Sequence, residues 1–390
     1  MPKQGMNTES FNINDFRLSG QQFLQQLTSK LTDREMDTHL LKCDHLCFRV
    51  CTPEEYDFYK VSLGNHAQLL TESPVNGRAI STFLLDSPFQ YGPHEVDIVE
   101  LPAPKTGTCY STGFEHAEFV INESFTSFRL RFKNFSFSDA GKRTLNPELC
   151  LKLGEGMQAK FHHLSLDRVI EIEKAQIKDI VFDFDGTLIK SRENIYEINR
   201  IVFSKALNRE VSLEESIENF HPEFSKLFDA FAITCPMKQD EAITSWGSVS
   251  EKFEYELFDG ALEMLKVLRA HGFRLHLWTA RDEYSARKIL KKQGIEEFFT
   301  TLSFASNVDS KPHSNSLRFD WKAVDPNQVI VVGDSPSDII GAKNIAAIRG
   351  AALWDSHSNP CSLIKTGAEL FFHNIADLEE WILRSSKVAL

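Results

Sequence analysis

Three short apolar runs in the second half of the chain constrain its fold more than any other feature: KDIVFDFDG (178–186), FRLHLWTA (273–280) and NQVIVVGDS (327–335). Each has strand length and little internal polarity, the pattern of a strand covered on both faces. Helical patterns follow at 260–271 and 282–293, so strand and helix alternate and a parallel sheet is predicted. The stretch 190–256 is longer than one crossover needs. It is mostly helical by pattern, carries Phe220, Phe224, Phe228 and Phe231, and predicts a helical cap inserted after the first strand.

The runs end in chemistry-bearing residues. The first closes on Asp183-Phe184-Asp185-Gly186-Thr187, the second on Thr279-Ala280-Arg281, the third on Gly333-Asp334-Ser335-Pro336-Ser337-Asp338, and Lys311 stands between the last two in Asp309-Ser310-Lys311-Pro312. Ligands of open α/β sheets bind outside the carboxyl ends of the strands. Carboxylates crowded there need a cation to join them, and oxygen-only donors select a hard ion such as Mg²⁺. A carboxylate is also a competent nucleophile toward phosphorus. A hydroxyl, a fixed ammonium and backbone N–H groups would hold phosphoryl oxygens.

In these four motifs residues 178–390 resemble the haloacid dehalogenase-like hydrolases with a small helical cap. The resemblance implies Asp183 as nucleophile and Asp185 as the acid that protonates the leaving alcohol. It implies Thr279 and Lys311 as phosphoryl-binding groups, with Ala280 and Arg281 beside them at the substrate. Asp183, Asp185 (through its carbonyl), Asp334 and Asp338 become the Mg²⁺ site, Asp338 supporting either the ion or Lys311. Thr279 and Asp338 each have a second reading as helix caps. Dehalogenases lack the second acid, so Asp185 favours an oxygen leaving group: a phosphatase, or a phosphomutase, acting on a small phosphorylated metabolite. A phosphonate hydrolase would need a cap lysine for an imine, and Lys205, Lys226 and Lys238 read better as solvated surface groups. A non-catalytic ligand-binding regulator is a further reading, against which the complete acid and lysine set argues.

The first half has a different texture. Residues 1–12 read as a polar tail and 13–42 as one or two helices. From 43 to 165 short strand patterns alternate with turns, including SPVNGRA and DSPFQYGP, and helical patterns follow the first and fifth strands at 52–63 and 124–133. Shifting the sequence by 71 places lays Asp44-His45-Leu46-Cys47-Phe48 on Glu115-His116-Ala117-Glu118-Phe119. Acid falls on acid, histidine on histidine and phenylalanine on phenylalanine, which predicts two similar half-sheets in one curved sheet. Strict alternation places His45 with Arg49, His116 with Glu118, and Lys160 with His162 on the polar face, and Glu100 ends another strand. The segments DHLCFR (44–49), 69–78, 99–107, 114–120 and AKFHHLSL (159–166) resemble YecM-type proteins of the vicinal-oxygen-chelate, glyoxalase-like fold. That resemblance implies paired βαβββ modules and a metal site at His45, Glu100, His116 and His162. Mixed imidazole and carboxylate ligands suit Zn²⁺, Fe²⁺, Mn²⁺ or Ni²⁺, and would allow a bifunctional enzyme with a metal-dependent isomerase, lyase or oxygenase half. His162-His163 stands where a common glyoxalase pattern has a glutamate.

The expected organisation is therefore α/β: tail and helices at 1–42, a YecM-like α+β domain at 43–170, a linker at 171–177 and a Rossmannoid hydrolase domain at 178–390 with its cap at about 190–256. The formal charge of −12 argues against a general grip on nucleic acid or an anionic membrane. No apolar run is long enough for a membrane span and the N-terminus lacks the apolar core of a secretory signal, so a cytoplasmic enzyme is expected. Seven scattered cysteines (43, 47, 51, 109, 150, 235 and 361) fit reduced thiols better than a disulfide framework. Cys43, Cys47 and Cys51 read as thiols along one strand, with a metal cluster as the alternative.

Overall fold

The computed structural model describes residues 11–385 apart from 76, 106, 108–110, 141–145, 155, 222–223 and 306–309. Most of the expected tail, Cys109 and Asp309 lie outside the described residues. The chain divides into two compact units, Met1–Glu173 and Lys174–Leu390.

The first unit opens on α1 (Ile13–Thr32), capped by Asn12, whose Oδ1 accepts from the Asn14 N–H at 2.8 Å. Such a cap satisfies donors that the first turn leaves free. Phe16, Phe23, Leu24, Leu27 and Leu31 recur at helical spacing and are buried. Two runs of the same element order follow. The first is β1 (Lys42–Arg49), α2 (Pro53–Gly64), β2 (Ala67–Val75), β3 (Arg78–Tyr91) and β4 (His94–Pro102). The second is β5 (Gly113–Val120), α3 (Phe125–Arg131), β6 (Ser138–Ala140), β7 (Glu148–Gly154) and β8 (Met157–His162), and α4 (Leu166–Lys174) comes last. Together they make one eight-stranded sheet of order β2-β3-β4-β1-β5-β8-β7-β6. β1 is parallel to β4, β5 is parallel to β8, and β1 and β5 meet antiparallel at the centre. These are the two similar half-sheets that the 71-residue repeat predicts, in the βαβββ order that the YecM resemblance implies.

One turn expectation fails. The segment DSPFQYGP is not all turn, because β3 continues through it to Tyr91. The ladder to β4 breaks register between Leu84 and Phe89 and then resumes, with the reversal confined to the residues after Tyr91. Phe89 is fully buried against Phe16 and Phe114, with ring centroids 6.1 and 5.6 Å away. Packing of that ring overrides the turn propensity of its neighbours.

The second unit carries β9 (Asp179–Phe182), then β10 (Ile189–Lys190), the helices α5 (Arg192–Leu207), α6 (Leu213–Glu218), α7 (Phe224–Ala230) and α8 (Pro236–Ser250), and β11 (Glu256–Leu257). It continues with α9 (Ala261–Ala270), β12 (Arg274–Asp282), α10 (Glu283–Lys292), β13 (Thr301–Ala305), β14 (Val329–Gly333), α11 (Pro336–Asn344), β15 (Ile348–Ala352), α12 (Pro360–Thr366), β16 (Leu370–Phe372) and α13 (Ile375–Ser385). Six strands form a parallel sheet of order β13-β12-β9-β14-β15-β16, with β9 between β12 and β14. β9 and β14 are buried along their length, which explains their unbroken apolar sequence. The insert α5–α8 has its own core of Val202, Phe203, Leu227, Phe228 and Phe231, and the β10–β11 ribbon closes its base. Phe220 stands apart from that core. Its ring packs edge-on to Tyr196 at 5.3 Å and under the Arg192 guanidinium at 4.7 Å.

Phe16 is wholly buried and touches the rings of Phe48, Phe89 and Phe114. Phe16→Ala is expected to cost the first unit about 3–5 kcal/mol. All five tryptophans, Trp246, Trp278, Trp321, Trp354 and Trp381, lie in the second unit, so urea unfolding followed by far-UV circular dichroism, not by tryptophan fluorescence, checks it.

Candidate active site and metal centre

The ends of β9, β12 and β14 bring the four motifs together. Asp183 follows β9, and its N–H donates to Val332 O on β14 at 2.9 Å. Its Oδ1 accepts from Lys311 Nζ and its Oδ2 from Thr187 Oγ1 at 3.2 Å. Lys311 is buried and also donates to Asp338 Oδ1 at 2.5 Å. The other Asp338 oxygen accepts from the Ser335 N–H at 2.9 Å and from the Ser335 hydroxyl at 2.8 Å, forming a capping box on α11. Asp338 thus serves the lysine and the helix at once, joining two alternatives that its sequence position left open. Thr279 is buried, and its Oγ1 accepts from the Arg281 N–H at 3.1 Å. It is not a helix cap, since β12 runs on to Asp282, and Asp282 caps α10.

Carboxylate oxygens of Asp183, Asp334 and Asp338 lie within 4.8 Å of one another. Burial and the nearby Asp338 and Asp334 push the Asp183 carboxyl above its ordinary range, while Lys311 pulls it down. Burial and Asp338 push Asp334 up to about 6 against the opposing Arg192. This crowding is what a cation relieves. Asp334 Oδ2 accepts from Arg192, and Oδ1 is buried with no hydrogen-bond partner among the described residues. Gly186 sits beside it at φ +81°, and a Cβ there would run into the Asp334 carboxylate. A carboxylate oxygen without a partner among the described residues and a cluster of oxygen-only donors fit a hard divalent ion.

Asp185 is held differently. Arg281 grips it bidentately, Nε to Oδ2 at 3.0 Å and Nη2 to Oδ1 at 2.5 Å. Burial opposes ionisation of Asp185, but Arg281 holds its carboxyl below the ordinary value. The same guanidinium reaches Ser250 Oγ at 3.3 Å and lies over the Tyr255 and Trp246 rings. Arg281, expected at the substrate, is therefore committed to the acid and to the base of the insert. Ala280, half-buried, and Arg281 both line a cavity of about 540 Å³ that opens onto Asp183 and Lys311. Sequence reasoning passed over Arg192, because nothing in the four motifs marks it.

In the first unit, the β1–β5 ladder carries two irregularities, at Asp44 and at Glu115. Bulges re-aim side chains. Here each brings an acid onto the face of the histidine after it. His45 Nδ1 lies 2.9 Å from Asp44 Oδ2, and His116 Nδ1 lies 3.2 Å from Glu115 Oε2. With Nδ1–H donating to the acid, Nε2 is left as the ligating nitrogen. Glu118 lies among the Nε2 atoms of all three predicted histidines: His45 at 3.5 Å, His116 at 3.1 Å and His162 at 3.3 Å. Glu100 lies 3.9 Å from His116 Nε2, and its carboxylate shares a 4.8 Å cluster with ring nitrogens of both His45 and His116. The three imidazoles and Glu118 are buried, and His116 Nε2 and both His162 nitrogens lack hydrogen-bond partners among the described residues. Burial disfavours charge on His45, but Glu118 and Asp44 outweigh it and push its pKa up to about 10. Lys160 Nζ, at 2.8 Å, offsets the Glu118 charge. Asp44, Glu115 and the central position of Glu118 were hidden by the assumption of strict alternation. Cys47, read as a bland strand thiol, is buried within 4.8 Å of donor atoms of Glu115 and His116.

Residues 180–351 match the haloacid dehalogenase-like hydrolase family. The C-terminal half is haloacid dehalogenase-like. Residues 13–141 match the YecM protein family, so both resemblances read from the sequence hold. In the haloacid dehalogenase-like half, pyrophosphatase PpaX of Halalkalibacterium halodurans is 29% identical over 184 residues, covering 46% of this chain and 84% of that protein. PpaX of Bacillus pumilus is 25% identical over 214 residues, covering 53% and 97%. A haloacid dehalogenase-like family hydrolase of known structure from Streptococcus pneumoniae aligns with TM-score 0.46 and 20% identity over 53% of this chain and 98% of that one. No helix of the described residues is long and apolar enough to cross a membrane.

Gly186→Ala is expected to push Asp334 out of place while the sheet still forms. Millimolar Mg²⁺ is expected to raise the melting temperature of the parent protein, and the variant should lose that rise. An undiminished shift in the variant would show that Asp334 does not hold the ion.

Proposed function

We propose that the C-terminal half is a Mg²⁺-dependent phosphomonoester hydrolase that works through an aspartyl-phosphate on Asp183. The observation that carries this reading is the meeting of Asp183, Asp334, Asp338 and Lys311, from three separate chain segments, at one buried point beside a cavity. Asp183 and Asp334 would hold the ion with the Asp185 carbonyl, and Asp338 would support them through Lys311. Bound there, Mg²⁺ would neutralise the carboxylates and the phosphoryl oxygens.

A carboxylate oxygen of Asp183 attacks phosphorus. The bond from phosphorus to the alcohol oxygen breaks, its electron pair stays on that oxygen, and a proton from Asp185 makes the neutral alcohol. Asp185, again a carboxylate, takes a proton from water, which attacks the acyl phosphate and releases inorganic phosphate and Asp183. Lys311 and Thr279 hold the phosphoryl oxygens, and a pre-placed ammonium in a water-poor site is worth more than one in solution. Arg281 keeps Asp185 in line and favours the carboxylate that the second step uses; for the first step Asp185 must take up its proton against that pull. Asp183→Asn should abolish turnover of p-nitrophenyl phosphate and leave the circular dichroism unchanged. EDTA should stop the parent enzyme, and turnover that survives either change would sink the assignment.

A second reading concerns the first unit. We infer that its sheet binds a divalent transition ion through Nε2 of His45, His116 and His162, with the carboxylate from Glu118 ahead of Glu100. Ligand atoms about 2.1 Å from one ion stand roughly 3.0–3.4 Å apart. The Glu118 oxygens lie 3.1–3.5 Å from the three Nε2 atoms, whereas Glu100 comes no nearer than 3.9 Å to His116 and clusters with His45 and His116 only within 4.8 Å. Elemental analysis of the purified full chain should find Zn, Fe, Mn or Ni, diminished in Glu118→Gln and lost with His116→Ala. The metal should be unaffected by Asp334→Asn. Equal binding by the parent and His116→Ala would refute the site.

A further inference from the structure

The cavity over Asp183 carries more than a phosphoryl group needs. Its far walls are aromatic, formed by Phe220, Phe224, Trp246 and Tyr284. One side chain on these walls is poised for a ligand. Asn199 is buried, and its Oδ1 accepts from the indole N–H of Trp246 at 2.8 Å. Indole can only donate, so this bond fixes the amide and leaves Nδ2 as its remaining donor in a residue that lines the cavity. Nδ2 has no partner among the described residues. A buried donor without an acceptor costs free energy that a bound ligand recovers. Arg192 lies on the same helix, seven residues earlier and on the same face. Its guanidinium bonds Asp334 in the phosphoryl corner, and its Nε is likewise unpartnered.

Glycolate and a second phosphate would both leave the aromatic walls without a partner. From the aromatic lining and the fixed Asn199 donor we propose that the substrate is a phosphomonoester of an alcohol bearing a flat aromatic or heteroaromatic ring, with a hydrogen-bond acceptor on the edge of the ring far from phosphorus. The ring stacks between the aromatic walls, and Asn199 Nδ2 donates to its far edge. This proposal rests on the phosphatase reading above and names its substrate class. It separates this chain from enzymes that cleave small, fully charged phosphates.

The test is a panel of kcat/KM values on the Mg²⁺-loaded full chain. Nucleoside 5′-monophosphates and phosphorylated hydroxymethyl-pyridines form one arm, and phosphoglycolate, glycerol phosphate and pyrophosphate the other. The ring-bearing arm should be preferred, and within it the better ester identifies which ring is the source. Asn199→Leu should reduce the ratio between the two arms about tenfold, the size of one lost hydrogen bond to a buried donor. Preference for the small phosphates, or an unchanged ratio in Asn199→Leu, overturns the proposal and leaves the phosphatase reading standing. If that variant fails to fold, calorimetric titration of the Asp183→Asn protein decides instead. Tighter binding of the ring-bearing esters supports the proposal, and equal or weaker binding overturns it. The same titration holds if no ester is turned over, an outcome that counts against the phosphatase reading alone.

Discussion

Three carboxylates and one ammonium taken out of water at the same corner form the constraint on which the second unit depends. Removing such groups from solvent costs several kcal/mol each. Asp183, Asp338 and Lys311 offset part of that by mutual hydrogen bonding, but Asp334 keeps an oxygen that no described residue satisfies. The arrangement requires two adjacent strands that end level with one another, and the β9–β14 register supplies this by pairing Val332 with Phe182 just before Asp334 and Asp183. It also requires that the strands be buried on both faces, which is why their sequences are so uniformly apolar.

The first unit solves a related problem by duplication. Its two modules place β1 and β5 at the middle of the sheet, so each contributes one acid–histidine pair to the same polar seam. The antiparallel ladder sets Cys47 opposite His116 and His45 opposite Glu118, which draws three imidazoles and a glutamate into one buried cluster. Neither half supplies the whole set. Lys160, from β8, compensates the charge that the carboxylate brings.

Much of this was legible in the residues, and the parts that were not have definite causes. The hydrolase motifs were readable because strand ends and their chemistry are contiguous in sequence. The duplicated sheet was readable because the acid–histidine–phenylalanine pattern recurs 71 places on. Asp44 and Glu115 were not, since a bulge adds one residue to a ladder without a sequence signature that a single chain reveals. The continuation of β3 across Ser87 and Pro88 was hidden for a similar reason: burial of Phe89 is a tertiary fact. The partners of Arg192 and Arg281 are set by a helix start and a strand end far apart in the chain, and local pattern is silent on such pairs.

Arg281 has one further implication. Its guanidinium clasps Asp185 on one side and rests against Ser250, Tyr255 and Trp246, residues of the helical insert and its base, on the other. A rigid planar group cannot follow both partners if they part. Lifting the insert to admit a molecule must then loosen either the clasp on Asp185 or the grip on the insert. Access for solvent and the charge on Asp185 are thereby tied together: an insert that carries Arg281 away with it leaves that carboxyl without the cation that keeps it ionised.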